Sequence, residues 1–223
     1  KGWSTKILST FQVILAQSHA DADRLRTIGA ATVQQVGNLK FTAPALAGSA
    51  DSLSHLLATV GSRPRWIMAS THPGEEAIAA HVHRLLRQRW PELLTILVPR
   101  HPNRADSILT ELGDLDVARR SAGYLPGRDT AIYLADTLGE LGTLYAAAPI
   151  ACVGGSFTPK GGHNPIEPAQ CGCAVLAGPD MSNFSDVAAE LSAAQALVQV
   201  SSPEALAEEV ARLIADPVLL ATR

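Results

Sequence analysis

Three cysteines, Cys152, Cys171 and Cys173, are all that this chain of 223 residues contains. So sparse and odd a set excludes a disulfide framework and points to a reducing compartment. Zinc-type spacing is lacking as well, because Cys171-x-Cys173 beside a glycine turn, even with His163 nearby, does not form the usual paired pattern. Charge of one sign is lacking: 18 Lys and Arg against 21 Asp and Glu leave a formal net charge of -3. Bulk electrostatic capture of nucleic acid is thereby excluded, and any phosphate has to be gripped locally. No run of about 18 apolar residues occurs, and nothing at the start has the order of a signal peptide, so a membrane crossing is not expected in this segment. A dinucleotide fingerprint G-x-G-x-x-G is missing, and so is a Walker loop, since Lys160 precedes the pair Gly161-Gly162 and no Gly-Lys-Ser/Thr follows. No Asp-x-Asp turn offers a divalent ion for a diphosphate.

What remains is ordinary for a folded protein: 47% hydrophobic and 17% charged residues exclude disorder. Short apolar runs alternate with helical stretches. Residues 11–17 predict a buried strand, Ser18 caps a helix through Arg26 that stops at Gly29, and Thr32 to Val36 is a second strand. A cluster of Gly, Pro, Ala and Ser from Gly37 to Ser49 marks a domain boundary. Beyond an amphipathic helix at Asp51 to Val60, seven further apolar runs end at Ser70, Pro99, Arg119, Asp136, Gly155, Gly178 and Val200, most of them followed by helices. That alternation implies parallel βαβ units and an α/β, Rossmann-like, doubly wound sheet. Lys1 in place of Met, and a helical pattern barely restarted after Pro217 when Arg223 is reached, read as a fragment trimmed at both ends.

In an open parallel sheet ligands sit beyond the carboxyl ends of the strands, so the loops there carry the candidates. Gly154 through Pro168 is the richest. Asn164 predicts an N-cap, Pro165 the first helical position and Glu167 a capping-box carboxylate. The helix start, four glycines and Lys160 suit an anion such as the phosphate of a nucleotide sugar, and Glu167 suits ribose hydroxyls. Equally, the glycines serve a tight turn and Glu167 merely caps. Thr137 to Glu140 predicts a second capping box, with Gly139 letting a base edge approach the main chain. Pro99-Arg100-His101 places a permanently charged fork and an imidazole at a strand end, unless Arg100 is used in a surface salt bridge. Ser70, Thr71 and His72 follow another strand, and Glu75 and Glu76 behind them read as ordinary helix-entry acids. His81 and His83, two apart on a helix, do not face each other and exclude a metal pair.

These loops, in this order, resemble the 3-deoxy-D-manno-octulosonic acid (Kdo) transferase family of lipopolysaccharide synthesis. The resemblance is carried by Gly37-Asn38-Leu39-Lys40-Phe41, Ala69-Ser70-Thr71-His72 with Gly74-Glu75-Glu76, Pro99-Arg100-His101-Pro102, and Asp136-Thr137 with Gly139-Glu140-Leu141. It continues through Val153-Gly154-Gly155-Ser156, Gly161 to Pro165 with Glu167-Pro168-Ala169, and Gly178-Pro179 with Asn183-Phe184. It implies a GT-B glycosyltransferase: residues 1–37 the truncated end of an N-terminal acceptor-side domain, 38–50 an interdomain linker, and 51–223 a C-terminal nucleotide-sugar-binding domain. The family moves Kdo from CMP-Kdo to a lipid A precursor with inversion. By resemblance, CMP is held by Pro99, Arg100, Leu138, Gly139, Glu140, Asn164, Pro165, Ile166 and Glu167. Ser70, Thr71, His101, Gly155, Lys160 and His163 are further phosphate or donor contacts. The family more often has Met where Leu138 stands. No cofactor or metal is implied. The catalytic base is expected in the missing N-terminal domain, and the partners are the CMP-sugar, the lipid acceptor and the cytoplasmic face of the inner membrane, not nucleic acid. Competing readings are a GT-B enzyme using a UDP-sugar, as transferase or 2-epimerase, and a non-catalytic sugar-nucleotide-binding module.

Overall fold

A computed structural model describes residues 2–17, 19–36 and 44–223. The Gly37-to-Phe41 motif and the Ser18 cap lie outside the described residues. The chain divides into two compact units, Lys1–Pro44 and Ala45–Arg223.

The first unit carries helix α1 (Trp3–Leu8), strand β1 (Ile14–Ala16), helix α2 (His19–Thr27) and strand β2 (Val33–Gln35). β1 pairs in parallel with β2. Gly29, at φ +106°, ends the α2 turn as expected, with the Ala30 amide reaching back to the Leu25 carbonyl. The buried strand expected over residues 11–17 is corrected. Only Ala16 is buried, while Phe11, Val13 and Leu15 are exposed; within the described residues of this unit β1 has one strand neighbour, β2, and α2 packs against the pair.

The second unit is the doubly wound sheet. It comprises α3 (Ala50–Val60), β3 (Arg65–Thr71), α4 (Glu75–Arg87), β4 (Leu94–Pro99), α5 (Ala105–Leu112), β5 (Val117–Arg119), β6 (Ile132–Leu134) and α6 (Leu141–Ala146). It continues with β7 (Ile150–Val153), α7 (Ile166–Gln170), β8 (Ala174–Ala177), α8 (Ser185–Ala193), β9 (Leu197–Gln199), α9 (Pro203–Ala215) and α10 (Pro217–Ala221). The order is β5-β6-β4-β3-β7-β8-β9, every pair parallel. The chain winds one way from β3 through β4, and the other way from β7, so the topological switch point lies between β3 and β7.

Strand alternation divides the core between two faces. Trp66, Met68, Leu97, Ile132 and Leu134 pack with Val82, Leu86, Ile108 and Leu206 from α4, α5 and α9. Ile67, Ala69, Ile96, Tyr133 and Ala151 pack with Leu56 and Val60 of α3 and Leu144 of α6. At roughly 25 cal/mol per Å² of apolar surface removed from water, such two-sided burial is what fixes the strands and hence the loops at their carboxyl ends. Among the described residues no helix is long and apolar enough to cross a membrane.

Candidate functional site

The carboxyl ends of β3 and β7 are joined by backbone. The Gly154 amide donates to the Ala69 carbonyl at 2.7 Å. A Cβ on Gly154 would lie 2.5 Å from the Ser70 carbonyl oxygen, so only glycine permits this approach. Ser70 itself is held at φ +62°, a conformation that costs a non-glycine residue about 1–3 kcal/mol. Beyond Gly154 the loop folds back on itself, the Gly162 amide reaching the Gly155 carbonyl and the His163 amide the Gly154 carbonyl, at 2.8 and 3.1 Å. Ser156, fully buried, donates to the Val153 carbonyl and accepts from the Gly178 amide.

Glu75 anchors this loop. Its carboxylate is wholly buried and accepts from the amides of His72, Gly155 and Phe157 at 2.9, 2.7 and 3.0 Å. Three charge-assisted bonds to otherwise unpaired donors justify burying it. Glu76, equally buried, pairs with Arg104 at 2.7 Å and accepts from the Thr71 hydroxyl at 2.9 Å. Both acids do stand in the first turn of α4, as expected of helix entry, and beyond that role they brace the rim of the sheet. Thr71 is turned inward by the same contact, leaving its carbonyl to receive the Arg100 amide.

Three imidazoles gather above this brace. His72 and His163 approach through their Nε2 atoms at 2.8 Å, their rings parallel within 2° and 5.1 Å apart by centroid. One ring radius on each side of the nitrogen contact accounts for that centroid distance, so the rings meet edge to edge. His101 stands nearly perpendicular to His72, 5.9 Å away. Burial first, then His72, Arg100 and His101, push the His163 imidazole down to about 4. Burial likewise lowers His72, opposed by Glu75 and reinforced by His101 and Lys160. Arg100 is exposed and has no ion pair among the described residues, which overturns the salt-bridge reading. Lys160 is exposed too, its carbonyl accepting from Asn183. An unneutralised guanidinium, an ammonium and three imidazoles around one rim suit an anion.

Asn164 stands just before α7 and does not form the expected capping box. Its Oδ1 accepts from the Ile166 amide while its Nδ2 donates to Glu167 Oε1, each at 3.1 Å. The helix begins one residue later than expected, with Pro165 in the cap position, because Asn164 bonds two residues on in an Asx turn. Pro165 and Ile166 are buried and Glu167 half-buried. The second capping box is corrected as well. Glu140 occupies the N-cap position of α6, but its side chain makes no cap bond; Arg120 holds its carboxylate at 2.7 and 3.1 Å, and Thr137 donates to it. Arg120 accordingly keeps the Glu140 carboxyl below its usual range. Next to it, burial pushes the Asp136 carboxyl up, but bonds from Ser121 and Arg119 more than offset this and leave it low. Sequence reasoning missed Arg119 and Arg120; their one signal was two consecutive cations at the carboxyl end of a strand, the first closing β5 and the second following it.

The structure therefore brings Ser70, Thr71, Pro99, Arg100, His101, Gly155, Lys160 and His163 together at the β4, β3 and β7 ends, with Asn164 through Glu167 continuing from His163. Leu138, Gly139 and Glu140 follow β6, the neighbour of β4, and share the rim without a described contact to Arg100 or Asn164. Leu138 is 80% exposed, and Gly139 adopts φ +81° with open space where a Cβ would stand.

Two family models match the chain: glycosyl transferases group 1 over residues 62–223, and 3-deoxy-D-manno-octulosonic-acid transferase (kdotransferase) over residues 1–43. Among curated proteins, the 3-deoxy-D-manno-octulosonic acid transferase of Bordetella pertussis is 38% identical over 92% of this chain and 49% of its own length. That of Haemophilus influenzae is 37% identical over 87% and 47%. The chain thus spans about half the length of the curated relatives it matches. Among solved structures, the C-terminal CMP-Kdo binding domain of WaaA from Acinetobacter baumannii superimposes with a TM-score of 0.72 at 30% identity, covering 77% of this chain and 94% of that one.

Proposed function

Because this chain belongs to the Kdo transferase family, with the fold of GT-B glycosyltransferases, we propose that its Ala45–Arg223 unit holds the CMP moiety of CMP-Kdo. The whole protein, in this reading, transfers Kdo to a lipid A precursor at the cytoplasmic face of the inner membrane, with inversion at the anomeric carbon. The observation that carries it is the unpaired Arg100 guanidinium, set with Lys160 and the histidines at the switch point of the sheet, where ligands of open α/β folds bind.

Breaking the bond between the Kdo anomeric carbon and the phosphate oxygen leaves the electron pair on CMP. Fixed cations stabilise that charge as it develops, without reorganising. Arg100 supplies a two-donor fork for the phosphate and Lys160 a mobile point charge. Gly139, without a side chain and at the tip of an exposed turn, lets the pyrimidine lie against the main chain, and the half-buried Glu167 accepts from ribose hydroxyls. The base that takes the acceptor's proton has to stand on the opposite face of the sugar, and we assign it to the half of the relatives' length that this chain does not span.

Nucleotide preference tests the reading. CMP at about 100 times its dissociation constant stabilises the folded state by roughly 2.7 kcal/mol, a rise in melting temperature of roughly 5–10 °C for a chain of this size. UMP at the same concentration should give a much smaller rise. Equal shifts with the two nucleotides, or none with CMP, would sink the assignment.

A further inference from the structure

The His72–His163 contact has a chemical limit that the loops around it enforce. Both residues are anchored through their backbones: the His72 amide to buried Glu75 and the His163 amide to the Gly154 carbonyl. The His163 ring is seated against Gly155, where a Cβ would come within 3.1 Å of its Cδ2. With the nitrogens fixed at 2.8 Å, one proton must lie between them, donated by one Nε2 and accepted by the other. A further proton can be taken at an Nδ1, leaving the bridging bond intact and now charge-assisted. A second cannot, because it would set two N–H groups head to head. The pair therefore exists as neutral or singly charged.

We infer that the His72–His163 pair is a proton-linked positioning element of the donor site, neutral when the site is empty and taking up as much as one proton when the phosphate of a nucleoside monophosphate binds. The inference rests on the CMP reading above and adds residues and a protonation state to it. The surrounding charges fit. Arg100, Lys160 and His101 face the pair and oppose a charge on it, while Glu75 and Glu76 favour one on His72. An empty rim thus holds the imidazoles neutral near pH 7. A phosphate dianion beside Arg100 and Lys160 reverses the sign of the local field and raises the affinity of the pair for a proton. The two rings titrate as one coupled unit.

The sign follows from linkage: a group whose affinity for protons is raised in the complex makes the ligand bind more tightly at lower pH. Between pH 6.5 and 8 the dissociation constant of CMP should rise with pH, by no more than tenfold per unit. CMP's own phosphate, with a second pKa of about 6, releases protons on binding and so works in the opposite direction.

Calorimetric titration of the protein with CMP at pH 7, in buffers of different ionisation enthalpy, reads the proton count directly. The expected result is net uptake of a fraction of a proton per CMP, absent with cytidine. It should be abolished in His163→Gln and His72→Asn, which still bind CMP more weakly, and retained in His101→Gln. CMP binding without uptake, uptake exceeding one proton, or uptake lost in His101→Gln and kept in His163→Gln overturns the inference. Failure of CMP to bind at any pH sinks the preceding reading instead.

Discussion

Arg100 and Arg120 stand on one rim of the sheet and use their charge differently. Arg120 is neutralised by two bonds to Glu140, whereas Arg100 has no ion pair among the described residues and is left for a ligand. A hydrogen bond to a charged group contributes about 1.5–3 kcal/mol, so Arg100→Ala should weaken CMP binding roughly tenfold to a hundredfold. Because the side chain is exposed, the melting temperature should stay where it is. His81→Ala provides the comparison: its imidazole meets Glu204 in an exposed pair of little energetic weight, and CMP affinity should not change. Equal losses in the two variants, measured by calorimetry, would mean general destabilisation. Arg100 was legible in the sequence because it directly follows an apolar run. Glu75 was not, since an acid in the first turn of a helix is commonplace and its true partners, Gly155 and Phe157, lie 80 or more residues away.

At the scale of elements, the glycines of the rim separate into two kinds that one substitution distinguishes. Alanine at Gly154 would drive a Cβ to 2.5 Å from the Ser70 carbonyl, a backbone atom that cannot step aside without parting β7 from β3. Alanine at Gly139 meets open space and bears only the strain of φ +81°, about 1–2 kcal/mol. Urea unfolding should therefore show Gly154→Ala destabilised by more than 2 kcal/mol, or not folding, and Gly139→Ala by less; the reverse order would mean that the β3–β7 contact is slack. The alternation of strands and helices in the second unit was readable from periodicity, and so was the concentration of polar groups at the strand ends. Strand order was not, because β6 returning between β4 and β5 depends on pairing that no local pattern encodes. Caps were misread for a local reason: the Thr137 hydroxyl is taken by the Glu140 side chain three residues on, and Asn164 divides its amide between the Ile166 amide and the Glu167 carboxylate.

The whole molecule sets two low-pKa imidazole sites at opposite ends of one helix. α4 begins at Glu75 on the rim; two turns along it lies His83, wholly buried. There it is hydrogen-bonded to Thr95 at 3.0 Å and pushed down to about 4 by burial and by Arg87, Arg84 and Arg63. His163 on the rim is pushed down equally far. A histidine whose folded-state value lies below its unfolded value of about 6.5 contributes stability that is fully present above pH 6.5 and lost as pH falls toward 4. For His83 the linkage amounts to about 3 kcal/mol in all, about 2 of it between pH 7 and pH 5. Denaturant unfolding of His83→Gln, which keeps a partner for Thr95 and cannot titrate, should lose about 2 kcal/mol less than the wild type over that interval. Parallel stability curves would remove His83 from the account. Saturating CMP then separates the two ends of the helix: an anion on the rim relieves the acid loss arising at His72 and His163, whereas the share belonging to His83 persists, because no ligand of the rim reaches the other end of α4.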